Sequence, residues 1–237
     1  MKAEIEKSIL NNIKRPIIVV SLPIAHVANV ALNALAEQLH AQPIGKLFVD
    51  KLPIVFVRKN KVEFPVVRFY HKKIKKENFL FVLGEYQPKE ESVFPLCSFI
   101  ISLFKKLKGK KIIVLDGVKT AKEKEGKGIL YISNEKLRID AQKVETIGPL
   151  FGPTAILLQM ANQAGIEILV LLTQVQDLKN INISDVKSNV ILLNNMLHLN
   201  IDLQQFDAQV KKLKKSIKIS RIEGKIIPVK QYRDYIG

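Results

Sequence analysis

Short apolar runs alternate with longer amphipathic segments along the chain, which predicts strands that alternate with helices. The first run, residues 17–22 (IIVVSL), is an almost unbroken aliphatic stretch, as expected of a strand buried on both faces. A segment with helical apolar spacing follows (VALNALAEQLHA), and a second apolar run at 44–50 predicts the next strand. We therefore predict a β-α-β unit with parallel strands and a right-handed crossover.

The same alternation continues to the end of the chain. The stretch IVFVRKNKVEFPVVRFY predicts a hairpin about Lys59-Asn60, with Pro65 placing its second strand at an edge or bulge. Further strands are predicted at 79–87, at 111–117 and in GILYIS and IEILVLL, and further helices at 90–108, at 153–164, in NEKLRIDAQ with Asn134 as its cap, in SDVKSNVILLNNMLHLN and in LQQFDAQVKKLKKS. The pattern predicts one α/β domain, residues 1–220, with a largely parallel mixed sheet flanked by helices, and a flexible C-terminal tail, residues 221–237.

Apolar stripes on the first and last helices exceed what one face of a sheet should need. At the start, Ile5, Ile9 and Ile13 follow the spacing of an amphipathic helix. Near the end, the stripe consists of Val190, Leu193, Leu197 and Leu199. Exposed stripes of this kind mark contacts between subunits, so we expect a homo-oligomer.

Composition favours an intracellular protein that does not enter a membrane. The chain has 237 residues, 47% of them hydrophobic, which suffices for one large core. No apolar stretch has the roughly 20 residues of a membrane span, and the charged N-terminus differs from a signal peptide. The one cysteine, Cys97, lies in an apolar run and is expected to be a buried core residue. We expect a cytoplasmic location.

The formal net charge of +16 raises the question of nucleic-acid binding. Lysine supplies nearly all of this charge, whereas base and phosphate recognition favours arginine and interleaved aromatic residues. The chain contains no tryptophan and no known nucleic-acid-binding motif. A generally basic surface is therefore the preferred interpretation, and nucleic acid is not the expected partner.

Candidate chemistry lies in the loops beyond the carboxyl ends of the predicted strands, residues 21–29, 84–91, 116–120 and 147–154. Glu85 and Asp116 each close a buried strand and could face one crevice as a carboxylate pair, together with Gly148 and Gly152. The alternative is that both carboxylates cap helices or bind backbone N–H groups. The loops match neither the Walker A nor the dinucleotide fingerprint, and no histidine has metal-site spacing, so we predict no cofactor and no metal.

The segment 146–172 (TIGPLFGPTAILLQMANQAGIEILVLL) reads as a loop, a helix and a strand. Gly148 and Gly152 would let the turn approach its neighbours closely, and Gly165 would end the helix in a left-handed conformation. Leu157 and its neighbours point to the core. We interpret the segment as a packing unit.

The order and spacing of IIVVSLPIAHVAN, FVLGEYQP and this loop-helix-strand segment resemble the proteasome assembly chaperone family, and especially archaeal homologues of its second eukaryotic member. The resemblance covers about residues 15–215. Gly148, Gly152, Ala164 and Gly165 match the family pattern, as do Leu22, Pro23, Asn29 and Val30 in the first loop. Ser21, Ile24 and Ala31 replace glycines of that pattern.

The resemblance implies a three-layer fold of the phosphorylase/hydrolase type, no catalysis, oligomer formation, and proteasome α-type subunits or other protein clients as partners. It also implies a role for the tail, because relatives dock through a C-terminal hydrophobic–Tyr–any-residue signature. This chain ends Tyr235-Ile236-Gly237, one residue longer than the signature, with Tyr232 nearby. We predict that Tyr232, Tyr235, Ile236 and Gly237 bind the partner.

Two alternatives of other classes remain open. One is an enzyme of the phosphorylase/hydrolase or nucleotide-dependent ligase type that uses Glu85, Asp116 and the 147–154 loop at the strand ends. The other is a basic protein that binds nucleic acid. Convergence of Glu85, Asp116 and Gly148 on one cleft would favour the enzyme.

Overall fold

The computed structural model describes residues 1–22, 26–49, 55–58, 61–85, 88–119, 128–135, 139, 141–144, 149–175, 182–206 and 208. Within them lie strands and helices with these bounds: β1 Lys2–Ile5, α1 Lys7–Asn12, β2 Ile17–Ser21, α2 His26–Gln38, β3 Gln42–Phe48, β4 Phe56–Arg58, β5 Lys61–Glu63, β6 Val66–Ile74, β7 Glu77–Gly84, α3 Glu90–Leu107, β8 Lys111–Lys119, β9 Ile129–Ser133, β10 Gln142–Lys143, α4 Gly152–Gln163, β11 Ile168–Val175 and α5 Ile183–Leu197.

One mixed sheet organises the molecule. Its strand order is β1-β3-β6-β7-β2-β8-β11-β9-β10. The four central strands β7, β2, β8 and β11 run parallel, and antiparallel pairs join β6, β3 and β1 on one side and β9 on the other. The sequences of these central strands are continuous apolar runs, because both faces of each strand are covered by helices.

Helices cover both faces of this sheet. Residues of α2 and α5 pack on one face with Val19, Phe81 and Leu171, and residues of α1, α3 and α4 pack on the other with Val20, Val82 and Val170. Successive side chains of a strand point to opposite faces, so each central strand contributes to both cores. The predicted α/β fold, with a mixed sheet between two helix layers, is confirmed.

The predicted parallel direction of the two strands in the β-α-β unit is confirmed. Strand β3 runs in the same direction as β2, but β6 and β7 lie between them. Periodicity showed that both segments are strands, whereas their neighbours depend on pairing with strands further along the chain. The hairpin about Lys59-Asn60 is confirmed as β4 and β5, which form a separate two-stranded sheet. Pro65 does not lie in an edge or bulged strand, because it falls between β5 and β6, and β6 lies inside the large sheet.

The N-terminal segment is not one helix. Residues 2–5 form β1, which pairs with β3, and Ile5 lies opposite Gly45. Only residues 7–12 are helical, and Ile13 is a fully buried residue just after α1. Strand pairing prevailed because β3 offers an edge that β1 can cover.

The two terminal stripes are not exposed, which is a correction. Val190, Leu193 and Leu199 are at most 3% exposed and belong to the core beneath α2 and α5. Ile5, Ile9 and Leu197 are partly buried and also pack against the core of their own chain. The argument for an oligomer from these stripes therefore fails.

The described contacts of the Asn134 side chain are with the segment that leads into β11. Its amide nitrogen donates to the carbonyl of Ile166 (2.9 Å), and its Oδ1 accepts from the N–H of Ile168 (3.0 Å). The side chain thereby continues the pairing of β9 with β11 beyond the last strand residue. Most of the predicted helix NEKLRIDAQ lies outside the described residues, as does most of LQQFDAQVKKLKKS and the proposed tail boundary at residue 220.

Candidate functional site

The carboxyl ends of the four central strands meet at one edge of the sheet, as predicted. Parts of the four candidate loops lie outside the described residues, including 23–25, 86–87, 120 and 145–148. Gly148 and the tail residues Tyr232, Tyr235, Ile236 and Gly237 are therefore not described. The contacts of Glu85, Asp116 and Gly152 are.

Asp116 is a buried carboxylate that joins a strand to a helix. Its side chain is in the β8 row that holds Ile112 and Val114, and it is 2% exposed. Oδ2 accepts a hydrogen bond of 2.5 Å from Thr154 Oγ1, and Oδ1 accepts one of 2.8 Å from the N–H of Gly117. Buried charge must be satisfied by such donors, and these contacts tie the start of α4 to β8.

The start of α4 depends on Gly152. This residue begins the helix with φ of 76°, a conformation that glycine adopts without a steric penalty. Pro153 follows in the first turn, where its missing N–H leaves no bond unmade. In the first turn of the helix, the Thr154 hydroxyl then donates its hydrogen bond to Asp116. Gly152 thus serves the geometry of the turn, as the packing interpretation predicts.

Glu85 makes a different set of contacts at the end of β7. Its Oε1 pairs with Nε of Arg68 at 2.5 Å, and its Oε2 accepts from the N–H of Val66 at 3.2 Å. The carboxylate closes the β6–β7 ladder by binding a backbone donor. Nearby, Tyr70 is half-buried, and its burial raises the pKa of its hydroxyl above the usual value.

Glu85 and Asp116 lie on opposite faces of the sheet. Asp116 is on the same face as Val114, which packs against α3 and α4. Glu85 comes two residues after Leu83 and therefore takes the face of Leu83, which packs beneath α2. Its partner Arg68 lies opposite Leu83 on the same face. The structure therefore does not bring the two carboxylates together, and each makes the backbone contacts that the structural alternative expects.

The buried side chain of Asn189, on the α2/α5 face, was not predicted from the sequence. Asn189 of α5 is fully buried, and its amide nitrogen donates to Thr173 Oγ1 of β11 (2.6 Å) and to the carbonyl of Asp185 (2.9 Å). Within the described part of the chain, Asn189 Oδ1 has no hydrogen-bond partner, nor has the buried Ser21 Oγ at the end of β2. Asn189 occupies an apolar helix face, so only the fold revealed it.

Cys97 is buried in α3, and its burial raises the pKa of its thiol to about 12. Its sulfur lies 3.5 Å from the carbonyl of Pro153. A thiol of this kind is protonated at neutral pH and serves packing. Among the described residues, no group of three or more His, Cys, Asp or Glu side chains is placed to hold a metal ion.

An open cleft of about 360 Å³ lies between α4 and the end of β9. Its walls include Ile132, Leu150, Ala155 and Leu158, and its polar groups include Asn134. Neither Glu85 nor Asp116 lines it. No helix in the part of the chain that the structure describes is both long and apolar enough to cross a membrane.

Comparisons with known proteins agree with this architecture. A model of the PAC2 family matches residues 22–219. No curated protein sequence matches the chain. Among solved structures, the chain is similar to PbaB of Pyrococcus furiosus, an archaeal proteasome activator, with 17% identity and a TM-score of 0.77 over 93% of this chain and 98% of that one.

Two further structures show the same fold. PbaA of Pyrococcus furiosus, an archaeal homolog of proteasome-assembly chaperone, is 21% identical, with a TM-score of 0.69 over 94% of each chain. A proteasome-assembly chaperone homologue of Mycobacterium tuberculosis is 14% identical, with a TM-score of 0.66 over 93% of this chain and all of that one (100%). At these identities, the likeness establishes the common fold.

Proposed function

Because the chain belongs to the PAC2 family, we propose that it is a non-enzymatic, proteasome assembly chaperone-like protein that binds α-type subunits of the proteasome core. The family match over residues 22–219 is the observation that carries the proposal. The fold shared with an archaeal proteasome activator and with assembly-chaperone homologues is consistent with it.

The geometry at the strand ends does not assemble the acid–base pair that the enzyme alternative requires. An acid–base pair needs two groups that reach one substrate, and Glu85 and Asp116 lie on opposite faces of the sheet. Both carboxylates are engaged by donors of their own chain. No contact of the described residues favours the phosphorylase/hydrolase or ligase alternative.

The proposal assigns part of the binding to the C-terminal residues. Tyr235 would anchor the tail in a groove between partner subunits, with Tyr232, Ile236 and the carboxylate of Gly237 beside it. A homo-oligomer that presents several such tails would gain avidity without new contacts. We place the protein in the cytoplasm, where its proposed partners assemble.

Co-purification with α-type subunits from the same organism tests the proposed function. The full chain should bind the α subunits. A chain lacking residues 235–237 should lose that binding while it keeps its fold and its oligomeric state. Asp234→Asn is the matched control, since it alters the tail outside the deleted residues, and should still bind. Unchanged binding by the truncated chain would show that the tail does not bind the α subunits. If the full chain did not bind them either, the proposed function would be refuted.

A further inference from the structure

A group of lysine and arginine side chains lies at the amino end of the central strands, the sheet edge opposite the candidate loops. They come from the segment before β2, from the β6–β7 hairpin and from the connection between α3 and β8, and all are exposed or half-buried. The group consists of Lys14, Arg15, Lys72, Lys73, Lys75, Lys76, Lys105, Lys106, Lys108, Lys110 and Lys111. We call it the basic end.

Hydrogen bonds join the three segments of the basic end into one surface. The N–H of Arg15 donates to the carbonyl of Leu107, the last residue of α3, at 3.0 Å. The side-chain nitrogen of Asn78 in β7 donates to the carbonyl of Lys14 at 2.8 Å. The segment before β2 therefore contacts both the hairpin and the end of α3, and the lysines of all three segments are neighbours.

Carboxylates are fewer than cations at this end of the described structure. Glu77 is engaged by Lys110 Nζ at 2.5 Å, and Glu135 shares a hydrogen bond with Glu167 on the β11 side. The carboxylates near this end are Glu37, Glu77, Glu135, Glu167 and Asp202. The excess of positive charge is therefore a local property of described residues and does not depend on the charge of the whole chain.

Three turns at this end hold a cation in a conformation that suits glycine. Arg15, Lys75 and Lys108 have φ of 48°, 52° and 52°, which is unfavourable for any residue with a Cβ. Lys108 follows the last turn of α3, where a cation also complements the helix dipole. The β6–β7 turn that holds Lys75 is not a helix end, so the dipole does not account for that lysine. Residues kept in such conformations cluster at functional positions.

The β6–β7 hairpin projects from the basic end as a narrow ribbon. Phe79 lies opposite Ile17, the first residue of β2, so the part of β7 before Phe79 extends beyond β2 by about 7 Å. The adjacent strands β6, β7, β2 and β8 span about 14 Å across the sheet. The major groove of B-DNA is about 12 Å wide, admits a two-stranded ribbon and has phosphates along both sides.

Exposed aromatic side chains of the described residues lie elsewhere. Phe64, Phe94 and Phe151 are near the starts of β6, α3 and α4, at the carboxyl edge of the sheet. Single-stranded nucleic acid stacks on aromatic platforms, and the cores of protein interfaces are rich in aromatic residues and poor in lysine. A ridge of lysines without aromatic neighbours suits contacts with the phosphates of a duplex.

We infer that the basic end binds double-stranded DNA through its phosphates, with the Lys75-Lys76 turn in the major groove and without reading the base sequence. This inference does not depend on the proposed function. The lysines come from three separate segments, so their charge forms one surface only in the fold. Contacts with phosphates position a protein on a duplex and require no nucleic-acid-binding motif in the sequence.

The test neutralises three exposed lysines of the hairpin in the full chain, by Lys73→Gln, Lys75→Gln and Lys76→Gln together. Fluorescence anisotropy measures affinity for a short labelled DNA duplex of random sequence between about 50 and 200 mM salt. We expect this variant to bind at least about tenfold more weakly than the wild type at the lowest salt. The slope of log affinity against log salt should become shallower by about 2–3, because each phosphate contact contributes about 0.9.

The matched control removes the same charge at the carboxyl edge, by Lys2→Gln, Lys89→Gln and Lys119→Gln together. This control should bind within about threefold of the wild type, with an unchanged salt slope. Circular dichroism shows that both variants are folded. Equal weakening of the two variants would show that only the charge of the whole chain acts, and would overturn the inference. A wild type without affinity for the duplex at about 50 mM salt would overturn it as well.

A second measurement uses the unmodified protein, so it does not depend on the folding of a variant. Lysines are acetylated with and without the duplex and mapped by mass spectrometry. DNA should protect Lys75, Lys76 and Lys108 and leave Lys89 and Lys119 reactive, and uniform protection would contradict the inference.

Other polyanions are tested in the same binding assay. Phosphatidylserine vesicles or polyglutamate that bind more tightly than DNA, with binding that the hairpin variant loses, would assign the basic end to a membrane or to an acidic protein instead. A preference for duplex RNA over DNA would exclude insertion into the major groove, because that groove of an RNA duplex is deep and narrow.

Discussion

Thr154 donates a hydrogen bond of 2.5 Å to the buried carboxylate of Asp116, and this contact fixes the start of α4 on the end of β8. The pair lies at the sheet edge where an enzyme of this fold class would hold its substrate. Asp116 there accepts hydrogen bonds from its own chain, one from the Thr154 hydroxyl and one from the N–H of Gly117. Its first role is therefore to anchor a helix.

Replacing Thr154 with valine tests this anchor. Valine keeps the shape of threonine but cannot donate to Asp116, so we expect the free energy of unfolding to fall by about 1–3 kcal/mol. Thr154→Ser keeps the hydroxyl and should lose less. Urea denaturation measures both variants, and a valine variant as stable as the wild type would show that the hydrogen bond does not anchor α4.

Gly165 should resist substitution for reasons of backbone conformation alone. It follows α4 with φ of 63°, and a Cβ at this position would meet no atom within 4 Å. Gly165→Ala should therefore destabilise the protein by about 1–2 kcal/mol through left-handed strain and not through a clash. Gly128→Ala is the matched control, because a Cβ there would meet only Gln174 Oε1 at 3.8 Å. Equal losses in the two variants, measured by urea denaturation, would contradict the explanation.

Cys97 should be unreactive in the native protein. Its burial raises the pKa of the thiol to about 12, so almost no thiolate exists at neutral pH, and the thiolate is the reactive form. We expect a chromogenic disulfide reagent to label Cys97 only after the protein is unfolded in guanidinium. Rapid labelling of the folded protein at neutral pH would show an accessible, activated thiol instead.

Glu135 should make stability depend on pH. Its partial burial, a hydrogen bond with Glu167 and the charge of that residue raise its pKa above the usual value. A carboxyl whose pKa is raised by folding stabilises the folded state below its unfolded pKa, and this contribution is lost as the pH rises through the raised value. The free energy of unfolding of Glu135→Gln, relative to that of the wild type, should therefore be higher at about pH 7 than at about pH 4.

Urea denaturation at both pH values measures this difference in unfolding free energy. Glu135 is only partly buried, so the effect should be small and should shrink at high salt. The same difference between variant and wild type at both pH values would exclude the carboxyl pair as its source.

The sequence by itself determined the class of fold and the family. Unbroken apolar runs such as residues 17–22 identified the buried parallel strands, because only a strand covered on both faces has no polar row. Gly165 was recognised as a left-handed helix end, and the resemblance to the assembly-chaperone family was confirmed. Both inferences rest on local conformation and on order along the chain, which a sequence records directly.

The candidate site was only half predictable. Glu85 directly follows the last residue of β7, as predicted, whereas Asp116 lies inside β8, three residues before its last residue, Lys119. The alternation within each strand was readable from the sequence. Which face each carboxylate takes relative to the other depends on the register of β7, β2 and β8, which sets Val20 beside Val114 and Val82. Register is a long-range property, so the sequence left both carboxylates as one candidate pair.

Tertiary structure alone decided which apolar residues are covered. The stripe of Val190, Leu193 and Leu199 looked free on its own helix, and α2 buries it. Phe64, Phe94 and Phe151 are as apolar as core residues, and the fold leaves their side chains 59%, 60% and 72% exposed. Periodicity shows that a residue is apolar and which way it faces within its element. Whether another element covers it depends on packing between segments distant in sequence.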